Sequence, residues 1–359
     1  MVSRRAADLR TRPAPAAVAL VGLTLLDAAR AAVGRLSDPD DVEALHDFRV
    51  ALRRLRTVLR SFRDEVGDIV TKKLQRRVRD VARSTNPARD AEVQLAWIQA
   101  HKAELGGGRR PGLPWLVARL EDQRDRAYAG IREEGPPEFR QLDRRIRRAL
   151  TRALADATPG RPAFAAATGG LVRAHVTELE QELEAAQSTR DEAAIHRARI
   201  AVKRLRYLLE PLQEGGAREA AIIDRLKQLQ DLLGELHDLH VFAAELGDAT
   251  ADAAAQRARR QHDAALRGQR RAAPRKPARP TPGGSGLLAL TRLAAQWEER
   301  LFARLVTEWL DDGLAPLLQD VIQVGEALAV PPPLPPPRLR ATATRRAARP
   351  ARAEQHPPR

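Results

Sequence analysis

The chain has 359 residues, enough for one large domain or two ordinary ones, and its wealth of Ala, Leu and Arg with only 3% aromatics favours an all-α fold over an aromatic-rich β-sandwich. The absence of cysteine excludes disulfides, zinc–thiolate sites, thiolate-bound iron–sulfur clusters and cysteine nucleophiles, and it fits a cytoplasmic setting. The net charge of +15 invites a polyanion partner, yet residues 267–280 and 331–359 carry +6 each and leave +3 for the remainder, so an anion site in the body must come from arrangement rather than excess.

Residues 1–14 read as a short, basic, disordered start. Residues 15–26 (PAAVALVGLTLL) follow Arg4–Arg5, as a twin-arginine signal would, but Asp27 and Arg30 continue at helical spacing without a clean cleavage site. The stretch therefore reads as an amphipathic first helix, and no run reaches the roughly 18 apolar residues of a membrane span. Helical patterning then runs to about 266. Breaks are expected near Ser37–Asp41, Gly67, Asn86–Pro87, Gly106–Pro114, Gly135–Pro137, Pro159–Pro162, Ser188–Asp191 and Gly215–Gly216. Residues 267–286 lack apolar periodicity and read as a flexible basic loop, 287–329 as helical again, and 331–359, opening on PPPLPPPR, as an extended, disordered tail.

A repeat organises the body. Residues 46–59 (HDFRVALRRLRTVL) and 196–209 (HRARIAVKRLRYLL) share seven of 14 positions at an offset of 150. A weaker match at an offset of 148 aligns 79–93 with 227–241 and pairs Arg79 with Lys227, Asp90 with Asp238 and Val93 with Val241. The body thus reads as a tandem duplication, residues 15–160 and 161–330, forming two helical bundles about a pseudo-two-fold axis.

On the repeated helix, Leu45, Phe48, Leu52, Leu55, Leu59 and Phe62 share one stripe, the expected core face, and Ile195, Ala198, Val202, Leu205 and Leu209 repeat it. One position further on, His46, Arg49, Arg53, Arg56 and Arg60 form a second stripe, matched by His196, Arg199, Lys203 and Arg206. Arg54 and Arg204 fall on the far side, where solvation is expected. Like charges stacked at i,i+3 and i,i+4 repel. For one stripe, a solvated face with partners from neighbouring helices would suffice. Two copies that keep the histidine, the cations and their register argue for a constraint beyond packing. Facing each other across the axis, they would build a basic groove, with Arg suited to bidentate phosphate contacts, Lys to a compact charge and His to one or two N–H donors.

At these residues the chain resembles the CHAD family, the conserved histidine α-helical domain. The resemblance rests on H-x-x-R-x-x-x-[RK]-R-L-R in both halves and on the downstream Lys-and-Asp element, clearest as LKQLQDLLGELHDLHV at 226–241, and covers roughly residues 15–330. It implies an all-helical, two-lobed fold around a basic groove or pore, binding of inorganic polyphosphate, and association with polyphosphate granules and other granule proteins. It assigns His46, Arg49, Arg53 and Arg56 to the first motif and His196, Arg199, Lys203 and Arg206 to the second. Lys227 matches the family's downstream lysine, with Arg79 in its place in the first half. Arg89 and Asp90 match an Arg–Asp pair that becomes His237–Asp238 in the second half. Asp90 and Asp238 are expected to orient cations, and Lys73 and Arg77 to extend the groove.

The E-x-E-x-K start of the triphosphate tunnel domain often fused to such domains has only a helical counterpart, Glu178, Glu180 and Glu182, with glutamate where lysine is required. Neither a P-loop nor H-E-x-x-H is present, and GGSGL at 283–287 fails the Gly-x-Ser-x-Gly elbow at its last position, so no enzyme and no cofactor is expected. His237 and His240, at i,i+3 beside Asp238, form a chance-level metal pattern. The alternative function is weak, non-specific nucleic-acid binding by the basic tails, since aromatic platforms for single strands are scarce and Trp97, Trp115, Trp297 and Trp309 sit in helical patterns as core residues.

Overall fold

The computed structural model describes residues 8–330 apart from 39–40, 42, 106–110, 156–159, 214–216 and 267–283. The described residues are helical almost throughout. Helices α1 (Ala14–Arg35), α2 (Glu43–Ser61), α3 (Lys72–Ser84), α4 (Asn86–His101) and α5 (Leu113–Ala155) are followed by α6 (Phe164–Glu184), α7 (Glu192–Leu209), α8 (Ala217–Leu266), α9 (Gly284–Leu305) and α10 (Leu314–Ala329).

The apolar stripes decide how these helices pack. Leu45, Phe48, Leu52, Leu55, Leu59 and Phe62 are all buried, as are Ile195, Ala198, Val202, Leu205 and Leu209. Phe48 meets Phe139 of α5 edge to face, ring centroids 5.2 Å apart. α1 packs on α2 and α5, α6 on α7 and α10, α4 on α5, and α8 on both α7 and α9. The two sets touch where α1 meets α6, α2 meets α7 and α4 meets α8. α1 is long and apolar enough to cross a bilayer, but half of its apolar window is buried in this bundle.

Helix breaks follow local chemistry in most places. Thr71 caps α3 by accepting a hydrogen bond from the Leu74 N–H at 3.3 Å. Pro87, which lacks an N–H, stands in the first turn of α4 and separates it from α3. The expected break at Gly135–Pro137 does not occur: α5 runs through Pro136 and Pro137. Each interior proline opposes the helix by about 3 kcal/mol. The run persists because Ile131 and Phe139, on either side of the prolines, are both buried in the core.

The start of the chain is also more engaged than expected. From Asp8 onward it is described, with Ala14 N–H donating to Pro162 O at 2.9 Å and Phe164 N–H to Arg12 O at 2.8 Å. These bonds tie the entries of α1 and α6 together. Gly284–Gly286, expected in the loop, belong to α9, where Gly286 N–H donates to Pro111 O at 3.0 Å. The rest of the expected loop up to 283 and the tail 331–359 lie outside the described residues.

α6 and α10 cross closely at Gly169 and Gly325. A Cβ on Gly169 would stand 2.4 Å from Gly325 O, backbone that cannot swing aside. Gly169→Ala is therefore expected to destabilise the fold by about 1–3 kcal/mol, read as a lower thermal midpoint, whereas Gly170→Ala, which meets nothing within 4 Å, should be neutral or stabilising.

Candidate polyanion site

With their apolar stripes turned to the core, α2 and α7 bring their polar flanks side by side. Arg49 and Arg53 from α2 and Arg199 and Lys203 from α7 lie within electrostatic reach of one another, with Asp90 of α4 and Asp238 of α8 between them. Cations outnumber acids here, and the surroundings are half-buried.

Neutral groups hold the two α2 arginines. Arg49 donates to Thr85 Oγ1 at 2.6 Å and Asn86 Oδ1 at 3.0 Å. Arg53 Nε donates to the Tyr207 hydroxyl at 2.8 Å. These bonds orient the guanidiniums without discharging them, which is the preorganisation an anion site needs. Arg199 reaches Asp238 only at 4.0 Å, and its Nε is buried without a hydrogen-bond partner. A buried donor left unmatched calls for a ligand or a water.

The titration behaviour reflects this crowding. Burial, reinforced by Arg199, Arg53 and Arg206, pulls the Lys203 ammonium down to about 6. Burial likewise lowers Arg49, to about 10, and Arg199. His237 is pushed down to about 3 by burial and by Arg199, His196 and Lys203, so it is neutral near pH 7. His196 is lowered by burial and by Arg199, Lys203 and Arg197. The Nδ1 atoms of His196 and His237 are 3.4 Å apart, one ring donating to the other. Asp90 and Asp238 are raised by burial, against the pull of the arginines.

The remaining expected residues divide. Arg56 faces Arg60, Arg79, Arg83 and Arg204, a second crowd of cations that lowers it after burial. Arg89 joins the central group and also pairs with Glu92 at 3.5 Å. Arg79 pairs with its neighbour Asp80 at 3.1 Å. Arg206 is the most engaged, donating to Gln230 at 3.1 Å and pairing with Glu210 at 3.2 Å. His46, Lys73 and Lys227 are exposed and Arg77 partly so, and among the described residues none hydrogen-bonds or ion-pairs with the central group. Arg54 and Arg204, expected on a solvated far side, are ion-paired instead: Arg54 pairs with Glu210 at 3.2 Å, and Arg204 donates to both oxygens of Glu178 at 2.6 and 2.8 Å. Glu178 comes from α6, a neighbour that helix periodicity alone does not reveal.

Three participants escaped the sequence reading. Tyr207 binds Arg53 and lies under the guanidiniums of Arg54 and Arg206, 5.5 and 4.8 Å from its ring centre. The change from Thr57 to Tyr207 within otherwise matched motifs was its signal. Thr85 and Asn86 hold Arg49 from the turn before Pro87, and nothing in their local sequence marks that role. His237 and His240 do not converge: His237 meets His196, whereas His240 Nε2 meets Glu298 at 2.8 Å. Among the described residues no group of three or more His, Cys, Asp or Glu is placed to hold a metal ion. Of the tryptophans, Trp309 is buried and Trp97, Trp115 and Trp297 pack partly buried against the core.

The family model described as the CHAD domain matches residues 23–247. The crystal structure of the CHAD domain from the plant Ricinus communis superposes with a TM-score of 0.57 at 20% identity, covering 88% of this chain and 93% of that one. No curated protein matches the sequence.

Proposed function

The chain belongs to the CHAD domain family, and from that premise we propose that it binds inorganic polyphosphate along the Arg/Lys/His stripes of α2 and α7, at polyphosphate granules in the cytoplasm, without catalysing a reaction on it. One observation carries the reading: Arg49, Arg53, Arg199 and Lys203, from segments 150 residues apart, share one half-buried place with more cations than acids. Such an arrangement depresses its own protonation and is relieved by a partner of repeated negative charge.

The two sets of helices have matching internal partners and meet through equivalent members, α1 with α6, α2 with α7 and α4 with α8. We read them as two copies of one unit about a pseudo-two-fold axis, with the stripes as one groove. A linear polyanion would release counterions along it, Arg and Lys would take phosphoryl oxygens, Asp90 and Asp238 would hold the arginines in register, and the histidines would donate single N–H bonds.

Any basic helical surface attracts nucleic acids as well, so the test is competition. Long-chain polyphosphate, single-stranded RNA and duplex DNA are to be compared over a salt series, with the full chain and with one that ends at residue 330 and has its 267–280 charges neutralised. Polyphosphate affinity is expected to stay within about threefold on shortening, while nucleic-acid binding falls by tenfold or more, because only the latter depends on the tails. Loss of all three ligands together would locate the polyanion site in the tails and leave the stripes an architectural role.

A further inference from the structure

A cavity of about 730 Å³ lies beside the stripes and has the opposite chemistry. Helices α3, α4, α5 and α8 line it, with Phe48 of α2 at its wall. Asp90, Glu134, Glu138, Glu245 and Asp248 line it, against Arg126 as its one basic residue. Arg126 is already bound to Asp122 and Glu245 to Arg119, whereas Asp90, Glu134, Glu138 and Asp248 make no ion pair among the described residues. Glu134 and Glu138 stand one helical turn apart on α5, a like-charge pair that opposes the helix unless a cation lies against it.

A second observation points into the same space. Gln94, on α4, is only 5% exposed and lines the cavity, yet its amide makes no hydrogen bond among the described residues. An amide left unpaired at a cavity wall is open to a ligand there. Part of the wall is apolar, formed by Phe48, Val81, Ala127, Ile131 and Val241. A hydrated metal ion has no use for that wall. A ligand with methylene segments between cationic centres uses all three features, and the volume is that of a small-molecule site.

We propose that this cavity binds a linear alkyl polyamine, its ammonium groups at Glu134, Glu138 and Asp248, an N–H donated to the Gln94 carbonyl oxygen, and its methylenes on the apolar wall. The assignment does not need the polyphosphate reading, although Asp90 lines the cavity and also faces the arginines of the stripes.

The probe is spermidine, titrated calorimetrically into the full chain at low salt without polyanion, with magnesium at matched ionic strength as the comparison. Saturable spermidine binding is expected, at least about tenfold weaker in Glu134→Gln with Glu138→Gln and at least about fivefold weaker in Gln94→Leu, which keeps the volume and removes the amide. Asp311→Asn with Asp312→Asn, acids outside the cavity, should change nothing. The glutamates are exposed, so their variants should fold, which circular dichroism checks. Absence of binding, binding equal in all variants, or magnesium bound as tightly as spermidine would each overturn the assignment.

Discussion

Arg49→Glu combined with Arg53→Glu is expected to weaken polyphosphate binding by two to four orders of magnitude, since each replacement removes a charge-assisted contact worth about 1.5–3 kcal/mol and adds a repelling charge. The salt dependence should flatten at the same time, with the slope of log affinity against log salt falling by about two, because two phosphate contacts no longer release counterions. Both side chains stand on the half-exposed flank of α2 while its core face is untouched, so the fold should survive. The local loss is confined to the bonds with Thr85, Asn86 and Tyr207. Helical content and thermal midpoint check that survival, and equilibrium binding with chain-length-defined polyphosphate reads the effect. A folded double variant with unchanged affinity and slope would remove the α2 stripe from the site.

The second large effect is one of pH. Lys203 is held at about 6 in the unliganded protein, far below its value of about 10.4 in an unfolded chain. Between those values the unfolded state binds the proton and the folded state does not, so this group makes the unliganded fold less stable as pH falls from about 10 to 6, with no further loss below 6. A polyanion seated beside Lys203 favours the ammonium and raises its pKa. Binding above pH 6 therefore takes up a proton, and affinity should fall by up to about tenfold for each pH unit above 6 until the pKa of the bound state is passed. Lys203→Met should flatten the profile above pH 6 and lower the affinity at pH 6 towards the wild-type value at high pH. His237, neutral already near pH 4, adds no slope in this range. A wild-type profile that is level from pH 6 to 9, or a slope that persists in Lys203→Met, would show that Lys203 does not meet the ligand.

Much of this was legible in the sequence. Leu and Phe at 3–4 spacing fixed which face of α2 is buried, because burial of such side chains dominates a helix's orientation and its period survives any tertiary arrangement. The recurrence of His, Arg, Arg/Lys and Arg one position away pointed to the same flank of α7, because a duplicated motif carries its register with it. Local rules failed where distant packing outweighed them. Pro136 and Pro137 would end an isolated helix, but Ile131 and Phe139 are both anchored in the core.

The charge state of the site was decided only in three dimensions. Arg204 and Arg199 stand five residues apart on one helix, yet Arg204 is matched by Glu178 while Arg199 keeps a buried nitrogen without a partner. Which arginine meets an acid depends on which residue of α6 or α8 faces it, and that is set by helix crossings rather than by spacing along α7. The same crossings joined Tyr207 to Arg53 and set Asp90, Gln94, Glu134, Glu138 and Asp248 along one cavity. The sequence by itself determined the helices, their buried faces and the identity of the repeated cations. Tertiary structure decided which cations stay uncompensated, because Coulomb energy and desolvation depend on distances through space and on enclosure by neighbours.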